Sequence, residues 1–173
     1  CFPYFAGMAG NQTKSSQLDR LDGLPGLDRF DAAILRELAA DGRLAVTELA
    51  RRIGLTKTPT QARVRRLEDL GVIAGYRAVL SPIRMGLSHV AFVEVRLSDT
   101  RETALQAFNR AVQGVPEIEE CHMMASSFDY LLKVRTHDIG EYRRVLGERI
   151  SALPHVASTS TYVAMEAVKE NGL

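Results

Sequence analysis

Between Arg51 and Leu67 the chain carries six basic side chains, Arg51, Arg52, Lys57, Arg63, Arg65 and Arg66, and no acidic one. Ammonium and guanidinium groups at that density suit one chemistry, the binding of phosphates by charge-assisted hydrogen bonds. Arginine adds a second capacity, since its fork matches a guanine edge and is worth roughly 1 to 3 kcal/mol of discrimination there. Little else in the sequence is reactive. No Ser/His/Asp triad, paired carboxylates or glycine-rich phosphate loop appears, so neither catalysis nor a nucleotide cofactor is expected. Cys121 and His122 are adjacent in a strand-like stretch and point to opposite faces, and His89, His137 and His155 are scattered, so no metal site is expected either.

The elements that must position those cations follow from periodicity. Leu27, Phe30, Ile34, Leu35 and Leu38 recur at helical spacing, with Asp28 or Asp31 placed to serve the free N–H groups of a first turn. A short second helix is expected with Thr47 as its cap, Leu49, Ala50 and Ile53 as its inner face and Gly54 as its stop. Thr56 then begins a third helix that runs to about Leu70 and closes at Gly71. Pro59 stands in its first turn, where a missing N–H costs no helical hydrogen bond.

Ala50, Gly54 and Thr60 are the small residue, turn glycine and inward position of a tight helix-turn-helix crossing. At about 100° per residue, Thr60, Val64 and Leu67 face the core together, which leaves Thr58, Ala62, Arg65 and Arg66 outward and Gln61 and Arg63 at the flanks. A recognition helix meets base edges through its N-terminal half. Thr58, Gln61, Ala62 and Arg65 are therefore assigned to bases, and Arg51, Arg52, Lys57, Arg63 and Arg66 to phosphates of double-stranded DNA.

The net charge of +1 conceals an asymmetry. Residues 1 to 80 hold 12 Lys+Arg and 9 Asp+Glu, giving +3, and residues 81 to 173 hold 10 and 12, giving −2. Locality of charge, not its total, decides whether a polyanion can bind. Two cysteines give no disulfide framework, no apolar run is long enough to cross a membrane, and residues 1 to 24 lack the pattern of a secretory signal. Those residues read as a disordered tail, and a cytoplasmic, nucleoid-associated protein is expected.

After Gly71, "VIAGYRAVL" predicts a two-stranded wing completing a DNA-binding domain over 25 to 80, and 81 to 87 a hinge. From 88 to 170 the patterns run strand, helix, strand, strand, helix, strand: "HVAFVEVRL", "DTRETALQAFNRAVQG", "EIEECHMM", "DYLLKVRT", "DIGEYRRVLGERISAL" and "VASTSTYVAMEAV". Right-handed crossovers turn that order into a ferredoxin-like βαββαβ sandwich, making the whole chain α+β. Both helices cover one face of the sheet. Val90, Phe92, Tyr130, Leu132, Val134, Tyr162 and Ala164 are candidates for either face, and an uncovered apolar face predicts an obligate homodimer.

Across about residues 27 to 170 the sequence resembles the leucine-responsive regulatory protein/AsnC (feast/famine) family of transcriptional regulators, with both halves in family order. The resemblance is carried by "LDRFDAAILRELAADGRLAVTELARRIGLTKTPTQARVRRLEDLGVIAGYRAVL", "VPEIEECHMMASSFDYLLKVRTHDIGEYRRVL" and "LPHVASTSTYVAMEAVKE". It implies a winged helix-turn-helix and an amino-acid-binding sandwich, assembled as dimers and as tetramers or octamers of subunits. It places the effector at the turn between the second and third strands, here Met124, Ala125, Ser126, Ser127, Phe128, Asp129 and Tyr130, with Ser158, Thr159 and Ser160 as further contacts. Family members commonly have glycine where Ser126 stands, so Ser126 and Ser127 are departures that alter the pocket. Asp129 is the partner for an ammonium group, and proline or another small apolar amino acid is the first expectation. Two rival functions keep the same architecture, a siroheme-decarboxylase-like enzyme and a chromatin-compacting protein of low sequence preference.

Overall fold

A computed structural model describes residues 26–170 in two compact units, one ending at Ala78 and the other beginning at Val79. The tail expected over residues 1 to 24 lies outside the described residues. In the first unit, helix α1 spans Arg29–Ala40, α2 Val46–Ile53 and α3 Lys57–Asp69. The side chain of Asp28 caps α1 by accepting from the amides of Phe30 and Asp31, and Asp31 returns a bond to the amide of Asp28. That reciprocal pair is a capping box with aspartate in both places.

The cap of α2 differs from expectation. Ala45, not Thr47, is its N-cap residue, and no side chain bonds the free amides there. The helix starts at Val46, which puts Thr47 inside the first turn and exposed, while Glu48 supplies the negative charge that a helix start favours. Gly54 ends α2 in the left-handed conformation at φ 73°, and Thr56 begins α3. Pro59 stands in the first turn of α3, as its spacing predicts. Ile34, Leu35, Leu49 and Leu67 form the core, with Leu38, Ile53 and Val64 packed around them.

The expected wing is not a ladder. Residues 72 to 80 form no strand, and Val79 and Leu80 are exposed. β-prone side chains suffice to write a strand pattern, but a strand needs a partner for its N–H and C=O groups. The tie that is present is the Tyr76 hydroxyl donating to the Glu68 carboxylate at 3.0 Å. Residues Ile83–Met85 make one 3-10 turn, and the Leu87 carbonyl accepts from Arg135, so the end of the expected hinge is anchored to the second unit.

The second unit is the sandwich. Strands β1 (His89–Leu97), β2 (Ile118–Met123), β3 (Tyr130–Thr136) and β4 (Val156–Val163) form an antiparallel sheet in the order β2-β3-β1-β4. Helices α4 (Glu102–Val112) and α5 (Ile139–Val145) connect them. The elements end inside their patterns: α4 fills 11 of the 16 residues of its pattern, α5 passes into a single π turn over Leu146–Ile150, and β4 stops at Val163 where the pattern ran to Val168. Register is settled by pairing. Val93 lies opposite Leu132 and Thr161, and Ala91, Val93, Val95, Tyr130, Leu132 and Val134 join Phe108, Tyr142 and Ile150 in the core. Phe92, opposite Tyr162 and Lys133, belongs to the other parity. That second face is not purely apolar, because Lys133 and Arg135 bind Glu119 and Glu170 on it.

Candidate nucleic-acid interface and effector site

On α3, Thr60 and Leu67 are buried and Val64 is half-buried, so the inward stripe is the one that the periodicity gave. Thr60 secures the first turn by donating its hydroxyl to the Thr56 carbonyl at 2.9 Å. Lys57, Thr58, Ala62, Arg65 and Arg66 are exposed, and Gln61 and Arg63 are intermediate. All the residues assigned to bases therefore stand on the N-terminal two-thirds of one helix, beside Arg51 and Arg52 at the end of α2.

The charge on this surface is less free than the sequence suggests. No acid interrupts the stretch from Arg51 to Leu67, but acids from outside it reach four of its six cations. Arg51 pairs with Glu48 at 2.7 Å, and Arg52 reaches both Glu48 and Glu37. These pairs are exposed, and the Arg51 and Arg52 bonds hold the Glu48 carboxyl down at about 2. Surface pairs of this kind contribute little, so a phosphate can replace the glutamate at small cost. Arg63 and Arg66 are held differently. Both bind Asp31, whose side chain is 1% exposed, at 2.8 and 3.2 Å, and Arg63 also binds Asp28 at 2.7 Å. Arg66 donates further to the Gly26 carbonyl. Among the described residues, Lys57 and Arg65 alone of the six form no ion pair.

The sequence offers Asp28 or Asp31 as the cap of α1 and does not reveal that both serve it or that both bind arginines of α3. The available signal was the second acid at the third helical position, where a capping box ordinarily carries glutamate or glutamine.

In the sandwich, the turn from Met124 to Asp129 joins β2 to β3, and its ends are clamped: the Met124 amide donates to the Asp129 carbonyl, and the Asp129 amide to the Val95 carbonyl. Ser126 and Ser127 are exposed and Phe128 is half-buried. Asp129 is not a free carboxylate, since one oxygen accepts from the Leu97 amide at 2.7 Å. Tyr130 does not belong with these surface residues: it is 2% exposed, its ring centroid 4.4 Å from that of Phe108 in the core. Tyr130 and Thr159 pair with Val95 from opposite sides, which brings the turn and the Ser158 to Ser160 stretch to the same end of the sheet. Ser158 and Ser160 are exposed and Thr159 is half-buried. Three of the four histidine side chains have separate partners: His89 meets the Thr136 hydroxyl, His122 Glu120 and His137 Glu141.

Residues 27–68 match the model of the AsnC-type helix-turn-helix domain, and residues 90–173 that of the Lrp/AsnC ligand binding domain. The chain is 64% identical over 144 residues to a proline dehydrogenase transcriptional activator of Rhodobacter capsulatus, covering 83% of this chain and 94% of that one. The protein belongs to the Lrp/AsnC family. The leucine-responsive regulatory protein of Escherichia coli K12 is 48% identical over 145 residues, which cover 84% of this chain and 88% of that protein. Among solved structures, a transcriptional regulator from Neisseria meningitidis in complex with L-methionine superposes with a TM-score of 0.78 at 28% identity, covering 83% of this chain and 93% of that one. This Lrp/AsnC protein is thus a DNA-binding transcriptional regulator with an N-terminal helix-turn-helix and a C-terminal ligand-binding domain. Among the described residues no helix is long and apolar enough to cross a membrane.

Proposed function

We propose that this regulator reads its operator through α3, with Thr58, Gln61, Ala62 and Arg65 at base edges and Lys57, Arg51 and Arg52 at phosphates. The observation that carries the assignment is the exposure of Lys57 and Arg65 on the outward stripe of α3 with no ion pair among the described residues. Binding is controlled from the sandwich by an amino acid held at the turn from Met124 to Phe128 and by Asp129, with Ser158, Thr159 and Ser160 beside it. Because Asp129 already accepts from Leu97, an effector ammonium group would bind its remaining acceptor sites. Proline is the first candidate, supported by the 64% identical activator named for proline dehydrogenase, and methionine is the alternative, supported by the Neisseria complex.

The regulator works as a homodimer and higher homo-oligomer in the cytoplasm and performs no chemical step. The face bearing Phe92 and Tyr162, 37% and 55% exposed, supports the dimer.

A thermal-shift screen against the twenty amino acids tests the effector: a ligand at 100 times its Kd adds about 2.7 kcal/mol to the folded state. Proline should shift the melt, and a flat response to all twenty removes the sensor role. Operator binding titrated with salt tests the helix. Lys57→Ala should reduce the slope of log K against log salt by roughly 0.9.

A further inference from the structure

Arg63 and Arg66 stand one turn apart on α3, and their guanidinium groups converge on a single carboxylate of α1. Asp31 accepts from Arg63 through Oδ1 and from Arg66 through Oδ2, and the same Oδ2 also accepts from the Asp28 amide. Arg63 is held further by Asp28, and it lies 5.5 Å from the centre of the Phe30 ring. Arg66 is held further by the Gly26 carbonyl. Two anchor points one turn apart fix the rotation of a helix about its own axis, and that rotation decides which side chains face outward.

On the assignment of α3 as the DNA-contacting helix, we propose that Asp31 is a positioning residue for operator recognition, and that Arg63 and Arg66 act on it and not on DNA phosphates. Burial separates these arginines from Arg51 and Arg52. The Glu48 side chain is 35% exposed and is rehydrated when its arginines turn to a phosphate. The Asp31 side chain, at 1%, cannot follow a departing guanidinium, so recruiting Arg63 or Arg66 to DNA would strand a buried charge. The arginines therefore stay with Asp31 when the duplex arrives, and Thr58, Gln61, Ala62 and Arg65 keep their outward aim.

Electrostatics and positioning predict opposite signs for one substitution. Asp31→Asn removes a negative charge from a DNA-binding unit and loosens two arginines, so charge alone predicts tighter binding to any duplex. Positioning predicts weaker and less selective binding. The test uses the full-length chain, an operator duplex selected by the wild-type protein from random sequence, and a shuffled duplex of the same length. Asp31→Asn is expected to lose about tenfold on the operator, the size of one base contact, and to change little on the shuffled duplex. General loss of fold would lower both affinities together, so the ratio between the duplexes carries the answer.

Salt slopes provide an independent arm that holds even if Asp31→Asn fails to fold. Lys57→Ala should reduce the slope by roughly 0.9, while Arg63→Ala and Arg66→Ala should leave it unchanged. Arg63→Lys, which keeps a cation on Asp31, should recover part of the operator preference that Arg63→Ala loses. Tighter binding by Asp31→Asn on both duplexes, or a slope reduced by Arg63→Ala as much as by Lys57→Ala, would overturn the proposal. An unchanged slope and affinity in Lys57→Ala would instead remove α3 from the DNA, a failure of the underlying assignment with its own signature.

Discussion

Among the described residues, fourteen buried side chains, from Ala91 to Leu153, close the core of the sandwich, whereas four, Ile34, Leu35, Leu49 and Leu67, close that of the helix-turn-helix unit. A small unit buries a smaller fraction of its surface and has less hydrophobic stabilisation to draw on. In the helical unit directed polar links supplement it: the capping box at Asp28 and Asp31, the arginines bound to both, and Arg52 joining α2 to Glu37 of α1. The sandwich adds to its larger apolar core one cluster of ion pairs, in which Arg135, 7% exposed, binds Glu119 and Glu170. In the helical unit charged groups join the helices: Arg63 and Arg66 are held by a buried acid, Arg51 and Arg52 by exposed ones, and Lys57 and Arg65 by none among the described residues.

The strongest challenge to this contrast is Phe108→Ala. Phe108 is fully buried, so the substitution should cost about 3 to 5 kcal/mol, read by chemical denaturation of the sandwich signals. A cost under about 1 kcal/mol would contradict a packing-dominated core. Leu67→Ala comes next, at about 2 to 5 kcal/mol, and in a core of four it should strip exchange protection from the amides of α1 and α3. Smaller effects sharpen the comparison. Asp28 and Asp138 both cap helices, α1 and α5, and each should cost about 1 kcal/mol on replacement by alanine. Asp28→Ala should exceed Asp138→Ala in denaturant melts, because Asp28 also binds Arg63.

The smallest effect is a pH dependence. Glu48 is lowered from 4.5 to about 2, first by its hydrogen bond from Arg51 and then by that from Arg52. The unfolded chain takes up this proton at higher pH than the folded one. Stability from these links is therefore present above about pH 4.5 and lost as pH falls toward 2. Thermal melts of Glu48→Gln across that window should show a shallower pH dependence than the wild type.

What the sequence reveals follows the range of the forces involved. The cap at Asp28, the stop at Gly54, the start at Pro59 and the inward stripe of Thr60, Val64 and Leu67 depend on residues within a turn or two, and each is legible. The βαββαβ order is legible for the same reason. The binding of Arg63 and Arg66 by acids 32 and 35 residues away depends on how α1 and α3 pack, which no local pattern encodes. The sandwich register stayed open because both parities of β1 carry apolar side chains, Val90 and Phe92 on one and Ala91, Val93 and Val95 on the other. At Thr47 a favourable cap residue outweighed the true start at Val46, and in 72 to 80 side-chain propensity suggested strands where the described residues form none. For the turn that the resemblance assigns to the effector, neither the engagement of Asp129 with Leu97 nor the burial of Tyr130 is legible in the sequence.

Gly54 has φ 73°, yet beyond its two chain neighbours no heavy atom lies within 4 Å of the place where an L-residue's β-carbon would stand. The turn between α2 and α3 thus disfavours an L-residue by handedness and not by crowding. Gly54→Ala would therefore strain the joint between the two rods by about 1 to 2 kcal/mol, although the added methyl group meets no steric obstacle there.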